Sequence, residues 1–130
     1  MANPQEQEME KILNNDVELL VEKAKKLGEE LAPKLRASQL RNIYGLVRQA
    51  QMEWQKNPRN AYNALILLQP KLAYFDKRTN GDMLPLKIAL DHAIGVLRRD
   101  AEPNKVHFKN FVDFCEAIVA YHKANRKAND

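Results

Sequence analysis

Two short stretches hold the residues best suited to binding chemistry. In RNIYGLVR (41–48), Arg41 and Arg48 stand seven apart with Tyr44 between them. In KLAYFDKR (71–78), Lys71, Tyr74 and Arg78 repeat the order: basic, tyrosine three later, basic seven later. An arginine presents a planar fork that matches phosphate, a lysine presents a point charge, and a tyrosine stacks or hydrogen-bonds. On a helix, a step of seven changes azimuth by only about 20° and advances by about 10 Å, so each basic pair forms a row that can reach non-adjacent phosphates. Gln55 extends the Arg41–Arg48 row, and Gly45 leaves an uncrowded patch beside it. The same pattern also suits a purely structural role. An arginine at a core flank covers apolar surface with its stem, and a boundary tyrosine packs with its hydroxyl in water.

Nothing in the chain assembles a catalytic constellation. The histidines are His92, His107 and His122, and the one cysteine is Cys115. Cys115 and His122 share a helix face, but two ligands do not make a zinc site. Phe108, Phe111, Cys115, Ile118 and His122 fall within about 60° at ~100° per residue, which points to a core cysteine and a partly buried histidine. Asp91 and His92 are adjacent and project at different angles, so they are weak acid/base candidates. There is no glycine-rich phosphate loop, HExxH or GxSxG. No metal site, cofactor or enzymatic activity is expected.

The elements that must position the basic rows are helical. Val17, Leu20, Val21, Ala24, Leu27 and Leu31 form one amphipathic face, predicting a helix over about 15–31 capped by Asn15 or Asp16. Ser38 is the expected N-cap of a second helix ending near Lys56, with Leu40, Ile43, Val47, Ala50 and Trp54 as its apolar stripe. Asn57-Pro58 reads as cap and first-turn proline of a third helix, carrying Tyr62, Leu65, Ile66, Leu68 and Leu72. Pro70 lies inside that pattern, so a kink or a break is expected there, and the resumption at Leu72, Ala73 and Phe75 favours the kink. Thr79-Asn80-Gly81-Asp82 is the strongest loop signal. A fourth helix is expected over about 83–99 and a fifth over about 106–124. The fold class is therefore all-α: a single domain, 1–130, built as a compact bundle of about five helices, with residues 1–14 and 125–130 fraying.

The chain has 130 residues and a net charge of +4, which is mild. The charge is unevenly spread: residues 1–32 carry net −4, residues 33–99 net +8, and residues 100–130 net 0. A basic middle behind an acidic start hints at a polyanionic partner; a solvated surface of uneven charge is the plainer reading. A lone cysteine gives no intramolecular disulfide framework and suits a reducing cytosol. The polar N-terminus lacks the apolar segment of a signal peptide, and no apolar run is long enough to span a bilayer. A cytoplasmic protein without membrane association is expected.

Three segments in order, SQLRNIY (38–44), QPKLAYFDKR (69–78) and FCEAIVAYHK (114–123), together resemble the small, all-helical subunit of type III-A (Csm-type) CRISPR interference complexes. The acidic first helix fits that family by character only. The resemblance implies a non-catalytic subunit that stacks as a short filament along the crRNA-bearing backbone and lines the channel holding crRNA and target RNA. It implies self-association and contact with other subunits, which carry target-RNA cleavage, DNA cleavage and cyclic oligoadenylate synthesis. Arg41, Lys71, Tyr74 and Arg78 occupy the matching motif positions for RNA contact; Arg48 is added by helix geometry. Phe75-Asp76-Lys77 departs from the small residues or glycine expected before Arg78. FCEAIVAYHK is mostly apolar and reads as core packing. A helical protein–protein adaptor whose basic groups meet acidic surfaces, and the small subunit of type III-B complexes, are the other readings the residues allow.

Overall fold

A computed structural model describes residues 3–126. Among them are seven helices and no strand: α1 Pro4–Leu13, α2 Val17–Leu31, α3 Ala37–Trp54, α4 Pro58–Ile66, α5 Leu68–Arg78, α6 Leu84–Arg98 and α7 Lys105–Ala124. If α4 and α5, parted only at Leu67, are taken as one bent helix, there are six. The all-α expectation agrees with this architecture, while the count of five does not.

The first extra helix is α1. Residues 1–14 were expected to fray, yet Asn3 caps α1 by accepting the Glu6 N–H at 2.9 Å, and Pro4 occupies the first turn. Met9, Ile12 and Leu13 are fully buried against α6 and α7. The polar composition of this segment is its outer face: Glu6 and Glu10 pair with Arg99, and Glu8 with Lys23. A short amphipathic helix gains its stability from such packing, because its propensity alone is insufficient. Residues 1–2 and 127–130, the remainder of the segments expected to fray, lie outside the described residues. Asn125 and Arg126 do not fray. Asn125 donates its backbone N–H at the end of α7, and Arg126 donates to the Ala32 and Leu35 carbonyls.

The second extra helix comes from Pro70. The interruption is Leu67 alone, three residues before the proline, and its backbone keeps right-handed helical angles (φ −69°, ψ −7°), so α4 passes into α5 after a single turn residue. Proline lacks an N–H and its ring clashes with the carbonyl four residues earlier. That carbonyl belongs to Ile66, the last residue of α4. Pro70 then sits in the first turn of α5, where a missing N–H costs little.

Other boundaries follow local chemistry. Asp16 caps α2 through Leu19 N–H, Asn57 caps α4 through Asn60 N–H with Pro58 in the first turn, and Asn104 caps α7 through His107 N–H. Ser38 is not the cap of α3; the helix begins at Ala37, after Arg36, whose N–H donates to Gln39 Oε1 at 2.9 Å. α3 ends at Trp54, two residues before the expected Lys56, because Asn57 is already starting α4.

α2 lies along α7 in the most extensive helix pairing, and α3 is gripped between α4 and α7. Gly28 allows the α2–α7 approach: a Cβ there would stand 2.5 Å from Tyr121 Cβ. Leu20, Ala24, Leu27 and Leu31 of the predicted α2 face are buried, but Val17 and Val21, at its edge, are exposed. The last helix behaves as its pattern indicates: Phe108, Phe111, Cys115 and Ile118 join one core. His122 goes further than partial burial, donating Nε2–H to the Leu35 carbonyl at 2.8 Å. No helix among the described residues is long and apolar enough to cross a membrane.

Candidate nucleic-acid interface

On α3, Leu40, Ile43, Val47 and Ala50 are buried and hold the helix in place. Taking Leu40 as zero, this stripe spans about 280–360°, and Arg41 and Arg48 lie at about 80–100°. Both arginines are exposed and make no hydrogen bond or ion pair among the described residues. Tyr44, between them in sequence, turns inward. It lines a small apolar cavity with Leu40, Ile43, Cys115, Ile118 and Val119, so its ring packs between α3 and α7. Beside it, a Cβ at Gly45 would meet nothing within 4 Å.

On α5, Leu68 and Leu72 face the core and place Lys71, Tyr74 and Arg78 outward. The helix runs through Arg78, so Lys71 and Arg78 share a face as their spacing requires. Tyr74 is 56% exposed. Arg78 Nη1 donates to the Tyr74 hydroxyl at 3.0 Å, and the guanidinium stands 5.7 Å from the ring centroid. That hydrogen bond pushes the already high Arg78 pKa further up. Lys71 has no partner among the described residues.

Tyr74 and Arg78 also line a cleft of about 330 Å³ with Gln39 and Asn42 of α3. Its far side is formed by Thr79 and Met83, held by the loop in which Thr79 Oγ1 accepts Met83 N–H at 3.2 Å. Asn80 and Gly81 take positive φ values of 55° and 87° there, turning the chain from α5 toward α6. Gln39 and Asn42 carry no sequence signal that separates them from ordinary polar helix residues; only the approach of α5 makes them part of a site. Phe75 is half-buried against the core, and Asp76 Oδ1 is buried with no hydrogen-bond partner among the described residues. Packing accommodates Phe75, while the Asp76 oxygen is left unpaired among the described residues and Lys77 stays in solvent.

The five predicted residues do not converge on one pocket. Gln39 and Asn42 lie at about 200–260° on α3, whereas the α7 seam, marked by Tyr44 and Gln55, lies at about 40–60°. The Arg41–Arg48 row stands beside the α7 seam, and Tyr74 and Arg78 stand on the opposite flank. The candidate site is two basic strips on either side of the exposed arc of α3.

The residues that could have done other chemistry are occupied structurally. His107 Nδ1 lies 2.8 Å from Asp100 Oδ2, and its Nε2 lies 2.9 Å from Asn14 Oδ1. Tyr62 donates its hydroxyl to the same Asp100 oxygen at 2.7 Å. Cys115 is buried, and burial pushes its thiol up to about 12. No group of three or more histidine, cysteine, aspartate or glutamate side chains among the described residues could hold a metal ion.

Neither the curated proteins nor the solved structures yield a match. A family model does match, over residues 14–128, which takes in every helix after α1. All three motifs noted in the sequence fall inside that span, and the chain belongs to the Csm2 type III-A family.

Proposed function

We propose that this chain is a non-catalytic small subunit of a type III-A CRISPR ribonucleoprotein effector and contacts the backbone of crRNA and target RNA. Membership of the Csm2 family makes it a subunit of such an effector. The RNA contact rests on one observation: Arg41, Arg48 and Lys71 are exposed cations without a protein partner among the described residues, arranged in rows at helical spacing. Arg99, by contrast, pairs with Glu6 and Glu10. The two strips flank a helix about 10–12 Å wide, so they engage separate stretches of RNA backbone. Phosphate contacts position a subunit without reading sequence; guide–target pairing supplies specificity.

Single-copy affinity is weak and salt-sensitive on this reading, and copies stacked along one guide supply avidity. Self-association and contact with the other subunits fall to surfaces away from the strips. The acidic outer face of α2, with Val17 and Val21 exposed beside Glu18 and Glu22, is one such surface. The protein works in the cytoplasm, with its complex.

The test uses the assembled complex. Arg41→Glu with Arg48→Glu is expected to lower RNA affinity, as is Lys71→Glu with Arg78→Glu, and the losses add because the strips are separate. Each pair removed also lowers the salt slope by about 1.5–2. A correctly assembled mutant complex that binds RNA as the parent does refutes the strips as the contact.

A further inference from the structure

The seam between the last turns of α3 and the first turns of α7 opens into a second cleft, of about 140 Å³. Gln51 and Trp54 line it from α3 and Gln55 from the cap that follows; Lys105, Phe108 and Lys109 line it from α7. Trp54 is half-buried and held from within, its ring stacked on Phe108 at 4.5 Å between centroids and 25° between planes. Phe108 thus covers one face of the indole and holds the ring in place, and the rest of the ring lines the cleft. Gln51, Gln55 and Lys105 are exposed and make no hydrogen bond or ion pair among the described residues. Lys109 pairs with Asp113 at 2.9 Å, but at an exposed position where such a pair contributes little.

Position in the fold decides what this cleft suits. Gln55 follows Arg48 by seven residues, as Arg48 follows Arg41, so the cleft stands at the next step of the same row, about 10 Å further on. A strand whose phosphates lie on Arg41 and Arg48 arrives there. The cleft offers an aromatic ring, two amides that each donate and accept, and the Lys105 cation, with the Asp113 carboxylate in its lining paired to Lys109.

We propose that this cleft takes one unpaired base of an RNA strand, stacked against Trp54, its edge hydrogen-bonded by Gln51 and Gln55 and its phosphate met by Lys105. The inference rests on the reading of the Arg41–Arg48 row as an RNA contact and adds a base-binding step to it. Stacking of this kind tolerates any base, since each has a π-face.

The chain contains one tryptophan, so its fluorescence reports the cleft directly. The 130-residue chain is titrated at low salt with a short end-labelled oligouridylate and with an abasic strand of the same length. Probe anisotropy reports binding, and tryptophan emission reports stacking. The expected result is saturable quenching that tracks anisotropy for the oligouridylate, no quenching by the abasic strand, and at least about fivefold weaker binding of the latter. Trp54→Leu is expected to cost at least about fivefold in oligouridylate affinity. Because Trp54 also packs on Phe108, the exposed pair Gln51→Ala with Gln55→Ala is the companion variant. It is expected to weaken oligouridylate binding and leave the abasic strand unchanged. Equal affinity for both strands with unquenched Trp54 overturns the base site and leaves the phosphate row standing. Binding of neither strand at low salt, where single-copy affinity is greatest, overturns both. Quenching by polyglutamate equal to that by RNA makes the cleft a protein-docking surface and overturns the assignment.

Discussion

Replacing Gly28 by alanine tests the α2–α7 contact on which the fold's arrangement depends. The added Cβ would lie 2.5 Å from Tyr121 Cβ, 2.7 Å from His122 N and 2.9 Å from Tyr121 C. All three belong to the α7 backbone or its first side-chain carbon, so no rotamer change relieves the overlap. Ordinary contact begins near 3.4 Å, so the helices must part by close to 1 Å. Overpacking of a core costs about 1–3 kcal/mol, and a clash with backbone belongs at the upper end. Alanine returns about 1 kcal/mol through its higher helix propensity. The net is about 2 kcal/mol of destabilisation. At about 3–5 °C per kcal/mol for a chain of this size, Tm should fall by about 6–10 °C in a thermal melt followed by circular dichroism. Gly45→Ala is the internal control. Nothing lies within 4 Å of its Cβ position, so the propensity term stands alone and Tm should rise by about 2–4 °C. Shifts of the same sign at the two glycines would refute the reasoning, because only the α2–α7 approach distinguishes them.

Ile12→Ala, in a segment whose polarity suggests fraying, should cost about 2–5 kcal/mol in urea denaturation with the m-value unchanged; a loss under about 0.5 kcal/mol would mean α1 is not docked in solution. Tyr62 is pushed well above the ordinary tyrosine range, chiefly by burial and then by its hydrogen bond to Asp100. Its folded pKa exceeds its unfolded one, so its contribution is complete below about pH 10 and is lost as pH rises beyond it. Tm should therefore fall steeply above pH 10 in the parent and less steeply in Tyr62→Phe, the neutral-pH cost of that variant being about 1–2 kcal/mol. Cys115, buried and raised to about 12, should resist thiol reagents at pH 8 in the folded protein and react promptly in denaturant; fast labelling of the native state would contradict its burial.

Helical periodicity made most of the architecture readable. Leu40, Ile43 and Val47 are buried on the stripe that their spacing describes, and Asn57-Pro58 starts a helix through the expected cap. These are local effects, set by residues within one or two turns of each other. α1 escaped because its three buried residues sit in a polar decamer, and only the surface of α6 and α7 gives them something to cover. Val17 and Val21 were misplaced for the converse reason: they continue an apolar stripe, but no neighbouring helix reaches its edge. Pro70 announced an interruption, and the missing bond to the Ile66 carbonyl set where it fell.

By itself, the sequence determined that this is a helical protein of the Csm2 type, with cations spaced seven apart on two helices, since spacing along one helix is a property of that helix alone. Which flank of α3 each cation row occupies was decided only by tertiary structure. Tyr44 turns inward because α7 lies on its side, while Gln39 and Asn42 join Tyr74 and Arg78 because α5 lies on the other. Azimuth on a helix is local, but which azimuths meet solvent depends on the neighbours that cover the rest.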